Sequence, residues 1–314
     1  MHFRFFGHQF GEHAADAQRV FNKLRTQHII ARARRVALIK DKVDRFQSIE
    51  SSDLLRSRRT RSRAVYRRSP ANASTVTVQI SAGYTLDNHR AQSSDAYALA
   101  KGEIIRAMLT TYAKPGMTLL NIGCGAGYFN TIVAALGLRV IGCEPEPSAF
   151  EMARKDAPEG CTVYNCDLAG LAKQGVSGDL AVLVDVFEHI EDDAEAAALL
   201  RSMLRPGAHA IITVPAVPWL YGVHDERLGH LRRYSARSFR KLLASQFEIC
   251  CMRYFGALSI PIVVIFSQLL RREYPRKAGR EGVIGRLYSA FCALETRVSF
   301  PIGTSLITDV RMKP

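Results

Sequence analysis

From Thr118 onward, short apolar runs alternate with stretches whose apolar positions recur near the helical period. The runs that read as strands are Thr118 to Ile122, Arg139 to Glu144, Thr162 to Cys166, Leu180 to Asp185, His209 to Pro215, Glu248 to Phe255 and Ser305 to Met312. Apolar strands separated by helix-length segments predict an α/β fold: a seven-stranded, mostly parallel sheet with helices on both faces. Turn signals agree with this frame. Pro115-Gly116 precedes the first strand, and Arg205-Pro206-Gly207 is expected to end a helix that starts near Asp192. That helix gathers Glu191, Asp192, Asp193 and Glu195 at its start and Arg201 and Arg205 at its finish, the order favoured by the helix dipole.

The first 80 residues behave differently. One helix-like pattern (Val20, Leu24, Ile30, Ala33, Val36, Ala37, Val43) is followed by a segment, 56–68, in which seven of thirteen residues are arginine. Like charges stacked at i,i+4 disfavour a helix there. We therefore expect a basic N-terminal extension over 1–80, partly helical or disordered, and the α/β domain over 81–314.

Composition changes the picture in one respect. With 47% apolar and 23% charged residues the chain is globular, which excludes disorder throughout, but 43 Lys and Arg against 29 Asp and Glu give +14. Residues 1–70 hold 17 basic and 6 acidic side chains, and the other 244 hold 26 and 23. The excess thus belongs to the extension, and a nucleic-acid partner for the domain is disfavoured. Seven cysteines without a Cys-x-x-Cys pair suit a reducing compartment with no structural metal. The opening residues lack the order of a secretory signal, so a cytoplasmic location is expected.

The chemistry starts at Asn121-Ile122-Gly123-Cys124-Gly125-Ala126-Gly127, a strand that enters a glycine-rich turn and then a helix. Glycines at 123, 125 and 127 let the main chain turn and approach a ligand closely, and Glu144, at the end of the next strand, can accept both hydroxyl protons of a ribose. The Gly-x-Gly-x-Gly spacing differs from the Gly-x-Gly-x-x-Gly of dinucleotide dehydrogenases.

With Cys166-Asp167-Leu168 after strand three, Asp185-Val186-Phe187-Glu188-His189 after strand four, and Leu204-Arg205-Pro206-Gly207 before strand five, the chain from about Gly83 resembles the class I S-adenosylmethionine-dependent methyltransferases. The resemblance implies a Rossmann-like sheet and S-adenosyl-L-methionine as cofactor. It also implies that Gly123, Gly125 and Gly127 face the methionyl part, Glu144 the ribose, and Asp167 the adenine amino group, with Cys166 and Leu168 beside the ring. Asp185 would border the methionine moiety and the substrate. The family usually has Asp or Glu where Asn121 stands, so an amide would meet the cofactor's ammonium without a charge.

Methyl transfer to a hydroxyl needs a group to take its proton. His189, at the rim after strand four, is one candidate, and capping or packing is its alternative. His224 and His230 are others, within a segment, 215–235, that also holds Trp219, Asp225, Arg233 and Tyr234 as expected substrate contacts. That segment resembles a branch of the methyltransferases found with polysaccharide and cell-envelope assembly. A structural ion pair of Asp225 with Arg232 or Arg233 is the competing reading, and a metal held by His224, Asp225 and His230 is disfavoured. The apolar run 254–270 allows packing in the core, peripheral contact with a membrane or lipid tail, or a span.

Three function classes follow: a methyltransferase for a small-molecule, glycan-precursor or lipid-linked acceptor, a nucleic-acid methyltransferase using the basic extension, and a non-catalytic cofactor binder. The second lacks its usual marks, since no Pro-Pro-aromatic follows Asp185 and no Pro-Cys exists.

Overall fold

Period-two alternation along the central strands sorts their side chains onto two faces. The computed structural model describes residues 95–272 and 282–313, so the helix-like pattern at Val20 to Val43, the arginine run and the division at residue 80 lie outside them. Seven strands form one sheet: β1 (Thr118–Ile122), β2 (Arg139–Cys143), β3 (Cys161–Tyr164), β4 (Gly178–Val184), β5 (Leu204–Pro215), β6 (Phe247–Phe255) and β7 (Ser305–Met312). Their order is β3-β2-β1-β4-β5-β7-β6, parallel except for β7, which runs antiparallel to both neighbours.

On one face Leu120, Leu183, Ile212, Val214 and Val310 meet α4 (Leu168–Lys173), α5 (Asp193–Ser202) and α7 (Ala236–Ala244). On the other, Leu119, Val182, Ile211 and Ile307 meet α1 (Ala96–Tyr112), α2 (Tyr128–Ala134) and α9 (Val283–Glu295). Three further helices complete the order: α3 (Pro147–Lys155), α6 (Val223–Leu228) and α8 (Ser259–Val263). The strand order reverses between β1 and β4, which makes the crevice at their carboxyl ends the place where such sheets bind ligands.

Two expectations need correction. The turn at Arg205-Pro206-Gly207 does not end a helix: α5 stops at Ser202, β5 begins at Leu204, and these residues bulge between the pairs Leu204 with Gly178 and His209 with Leu180. The run 254–270 is broken into the end of β6, a turn at Gly256, α8 and a π-helical turn over Val264–Leu269. Among the described residues no helix is long and apolar enough to cross a membrane.

Phe239 on α7 stands edge-on to Phe187, which follows β4, with ring centroids 5.9 Å apart, and both are fully buried. Phe239→Ala should lower unfolding free energy by about 3–5 kcal/mol in urea titrations, as expected for an aromatic cavity that cannot collapse. A loss below about 1 kcal/mol would mean that α7 is not anchored through this contact.

Candidate functional site

The glycine turn is shaped by backbone angles that favour glycine. Gly123 has φ +65°, and a Cβ there would stand 2.8 Å from Val186 Cγ2, so the turn presses against the segment that follows β4. Gly127 caps α2 at φ +85°, and a Cβ there would stand 3.0 Å from Ala153 Cα on α3. Between them the Gly125 amide donates to Glu144 Oε2 at 2.8 Å, while Glu146 N–H donates to Oε1 at 3.0 Å. Each oxygen keeps a further lone pair. Burial raises the Glu144 pKa, and the two amides oppose that rise.

Asn121 departs from its expected place beside a cofactor. Its amide donates to Asn130 Oδ1 on α2 at 2.7 Å, and at 2% exposure it braces strand to helix. Asp167 caps α4 by accepting from the Gly170 amide at 2.7 Å, which leaves its second oxygen available to an adenine amino group. Cys166 is half-buried beside it, and Leu168 turns into the core.

Asp185 takes a left-handed backbone conformation, φ +56°, at the end of β4. Its Oδ1 accepts from the Thr213 hydroxyl at 2.8 Å, and its Oδ2 pairs with Lys101 Nζ from α1. Burial opposes the charge on both groups, but the pairing wins: the aspartate is held below its ordinary pKa and the lysine above its own. Lys101 lies near the Tyr97 ring, whose hydroxyl is 2.9 Å from Thr304 Oγ1 and 2.8 Å from Ser305 Oγ. Gly256 permits this closure, because a Cβ there would stand 2.6 Å from the Tyr97 ring. Sequence reading missed Lys101 and Tyr97: no motif marks them, and only the fold carries α1 across the crevice.

Beyond Asp185 the chain supplies Glu188 and His189, and the 215–235 segment supplies His230. Glu188 is 0% exposed, and neither carboxylate oxygen has a hydrogen-bond partner. Burial, and then the charge of Asp185, push its pKa well above the ordinary carboxylate range. Burial, and then His230, push His189 down to about 4. The His189 ring bonds to the Gly229 backbone, and its Nδ1 is buried without a partner. The His230 ring stands edge-on at 4.9 Å between centroids, its Nε2 3.8 Å from Glu188 Oε1.

Asp225 organises this segment from within. It accepts from His230 Nδ1 at 2.8 Å, from Arg233 Nε at 2.9 Å on both oxygens, and from the Gly222 amide at 3.0 Å. Burial would raise its pKa, but His230 and Arg233 hold it low. Of the two expected pairings, Asp225 therefore takes Arg233, and Arg232 takes Asp193 at 3.0 Å. Both Asp225 and Arg233 are buried, so they position the segment and do not face a substrate.

Tyr234 is corrected in the same way, because its hydroxyl donates to Asp193 Oδ2 at 2.9 Å and the residue is 4% exposed. Trp219 lies at the surface, 59% exposed. Burial holds the His224 ring down to about 4, and its backbone amide donates to Ser267 Oγ at 3.2 Å. The structure thus brings His189 and His230 together with Glu188, a residue the motif contained without marking it as a site.

The chain is similar to known methyltransferases. The ubiquinone biosynthesis O-methyltransferase of Methylobacterium sp. (strain 4-46) is 33% identical over 95 residues, 29% of this chain and 38% of that protein. An uncharacterized methyltransferase of Mycobacterium ulcerans (strain Agy99) is 30% identical over 141 residues, 44% and 51% of the two lengths. The chain therefore spans between two fifths and half of the curated relatives it matches. The N-methyltransferase NodS from Bradyrhizobium japonicum WM9, solved with S-adenosyl-L-homocysteine, is 15% identical at a TM-score of 0.47, covering 70% of this chain and 90% of NodS. Residues 92–249, half of the chain, match the methyltransferase domain family. With the glycine turn, the acidic end of β2 and the strand order already in place, the chain belongs to that methyltransferase domain family.

Proposed function

We propose that the enzyme methylates a hydroxyl group on a small lipophilic acceptor taken from an anionic membrane surface. A lipid-linked glycan precursor falls within that class, as does a lipophilic ring alcohol. The observation that carries the oxygen acceptor is the cluster of Glu188, His189 and His230, in which Glu188 and His230 are buried and His189 partly so, close to Asp185. A hydroxyl must give up its proton to become a good nucleophile, and this cluster gathers groups that can take that proton or, through a bound cation, lower its pKa. The O-methyltransferase relative points the same way.

S-adenosylmethionine supplies a methyl group already bonded to a good leaving group, the sulfonium. In this reading the 123–127 turn holds the methionyl part, Glu144 accepts from the ribose hydroxyls, and the free oxygen of Asp167 accepts from the adenine amino group beside Cys166 and Leu168. The site residues fit the group: the turn gives close backbone access, and the lone pairs left on Glu144 and Asp167 are acceptors where the ligand has donors. Asp185, neutralised by Lys101, borders the methyl group without drawing the sulfonium into a tight ion pair.

The lipophilic character rests on the surface near α8 and α9. Tyr288 on α9 meets Ser259 on α8 at 2.8 Å. Leu269, Leu270, Val283, Ile284 and Leu287 are exposed, Ile284 at 82%, and so are Arg271, Arg272 and Arg286, their neighbours in sequence. Apolar side chains ringed by arginines match an anionic lipid surface.

Three outcomes are expected. Gly125→Asp puts a second carboxylate against Glu144, and calorimetry should find S-adenosylmethionine affinity reduced at least ~100-fold, about 2.7 kcal/mol. His230→Ala should bind that cofactor as well as the parent does while kcat falls by roughly 10²–10⁴ with a hydroxyl acceptor; unchanged turnover would remove His230 from the chemistry. The double variant Ile284→Asp, Leu287→Asp should lose flotation with phosphatidylglycerol vesicles, each side chain giving up about 1.5–3 kcal/mol of apolar burial. Equal flotation of parent and variant would contradict the membrane reading.

A further inference from the structure

With Glu188 ionised, the side chains gathered behind Asp185 turn lone pairs toward one another. His230 Nδ1 donates to Asp225, so in the neutral ring Nε2 carries the lone pair and faces Glu188. His189 Nδ1 is buried without a partner, and a neutral ring with its proton on Nε2 presents a lone pair there. The two Glu188 oxygens have no hydrogen-bond partner. One ligand atom from each of the three residues lies within 4.8 Å of the others.

Buried polar atoms are almost always paired, and here both Glu188 oxygens and His189 Nδ1 have no partner. The nearby cation, Lys101, is engaged with Asp185. A single proton shared between Glu188 and His230 does not resolve the arrangement, because 3.8 Å is too long for that bond and His189 Nδ1 would still lack a partner.

We propose that Glu188, His189 Nδ1 and His230 Nε2 bind a divalent transition-metal cation, whose open positions take the oxygen of the acceptor hydroxyl. Two imidazoles and one carboxylate are a common set for such ions, and bond lengths near 2.0–2.2 Å place the ligand atoms about 3–3.4 Å apart. His230 already has the outer support that ligating histidines use, a carboxylate on its far nitrogen, and Arg233 fixes that carboxylate in turn. A second group of His209, Cys250 and Asp309 lacks this character: Asp309 accepts from Tyr112 at 2.6 Å and pairs with His209 at 3.0 Å, so its atoms are satisfied.

The inference deepens the proposed hydroxyl methylation and rests on it for the identity of the further ligand. Coordination lowers the hydroxyl pKa, and the proton leaves to solvent. The oxygen lone pair then forms the O–CH3 bond as the CH3–S bond breaks, with its electron pair going to sulfur. The products are a methyl ether, S-adenosylhomocysteine and one proton. No electron changes hands.

The test uses the full chain, stripped with a chelator and titrated with Mn²⁺ and Zn²⁺ by calorimetry. One ion per chain is expected at this site. Glu188→Gln and His230→Gln should each weaken binding at least ~100-fold, Asp225→Asn by about 10–100-fold through loss of orientation, and His209→Gln should change nothing. Because the first variants alter buried groups, Mn²⁺ broadening is also read in the unmodified protein, where the imidazole resonances of His189 and His230 should broaden and those of His209 should not.

Absence of binding at millimolar cation, affinity unchanged in Glu188→Gln and His230→Gln, or broadening centred on His209 would each overturn the site. Undiminished methyl transfer in chelator would overturn the cation's role and leave the hydroxyl reading intact. A bound ion without methylation of any hydroxyl would sink that reading and leave the site standing.

Discussion

One buried carboxylate holds the functional edge of this enzyme in place. Asp225 accepts from a backbone amide, an imidazole and a guanidinium at once, and the segment from Gly222 to Tyr234 is threaded around it. Taking a charge out of water costs several kcal/mol, and the cost is recovered only where every lone pair finds a good partner. Here it does. Removing Asp225 would leave Arg233 buried and uncompensated and free the ring of His230 to rotate, so stability of the segment and alignment of the histidine depend on the same group.

The crevice itself depends on a second, smaller constraint. Asp185 adopts a left-handed conformation that non-glycine residues seldom hold, and Thr213 and Lys101 fix it there. This bend turns the chain after β4 so that Val186 meets the glycine turn while Glu188 and His189 point away from it toward His230. The glycine turn and the Glu188–His230 cluster are thereby set on neighbouring stretches of backbone, a few residues apart, which is the proximity the proposed methyl transfer requires.

Much of the fold was legible in the sequence. Strands buried on both faces write themselves as continuous apolar runs, and six of the seven were placed within two residues at each end. The exception, β5, starts five residues early because Arg205-Pro206-Gly207 carries the residues of a helix stop yet forms a bulge in a strand. The glycine turn was equally plain, since its glycines, its strand and Glu144 lie close together in the chain. The Glu188–His230 cluster was less so. An aromatic in a charged loop does not say which way it points, so Tyr234 looked like a substrate contact when it is core. Glu188 and His230 stand 42 positions apart and meet only because β4 and β5 are neighbours, and Lys101 arrives from a helix before the first strand. Those juxtapositions come from topology, which no local pattern carries.

The most direct measurement is anomalous diffraction at the manganese edge, on crystals grown with Mn²⁺ and S-adenosylhomocysteine. The account predicts one strong peak about 2.0–2.3 Å from Glu188, His189 Nδ1 and His230 Nε2, on the side of the crevice that faces the sulfur. A fully occupied cofactor site with no peak there, and with the three residues bonded to one another or to ordered water instead, would contradict it.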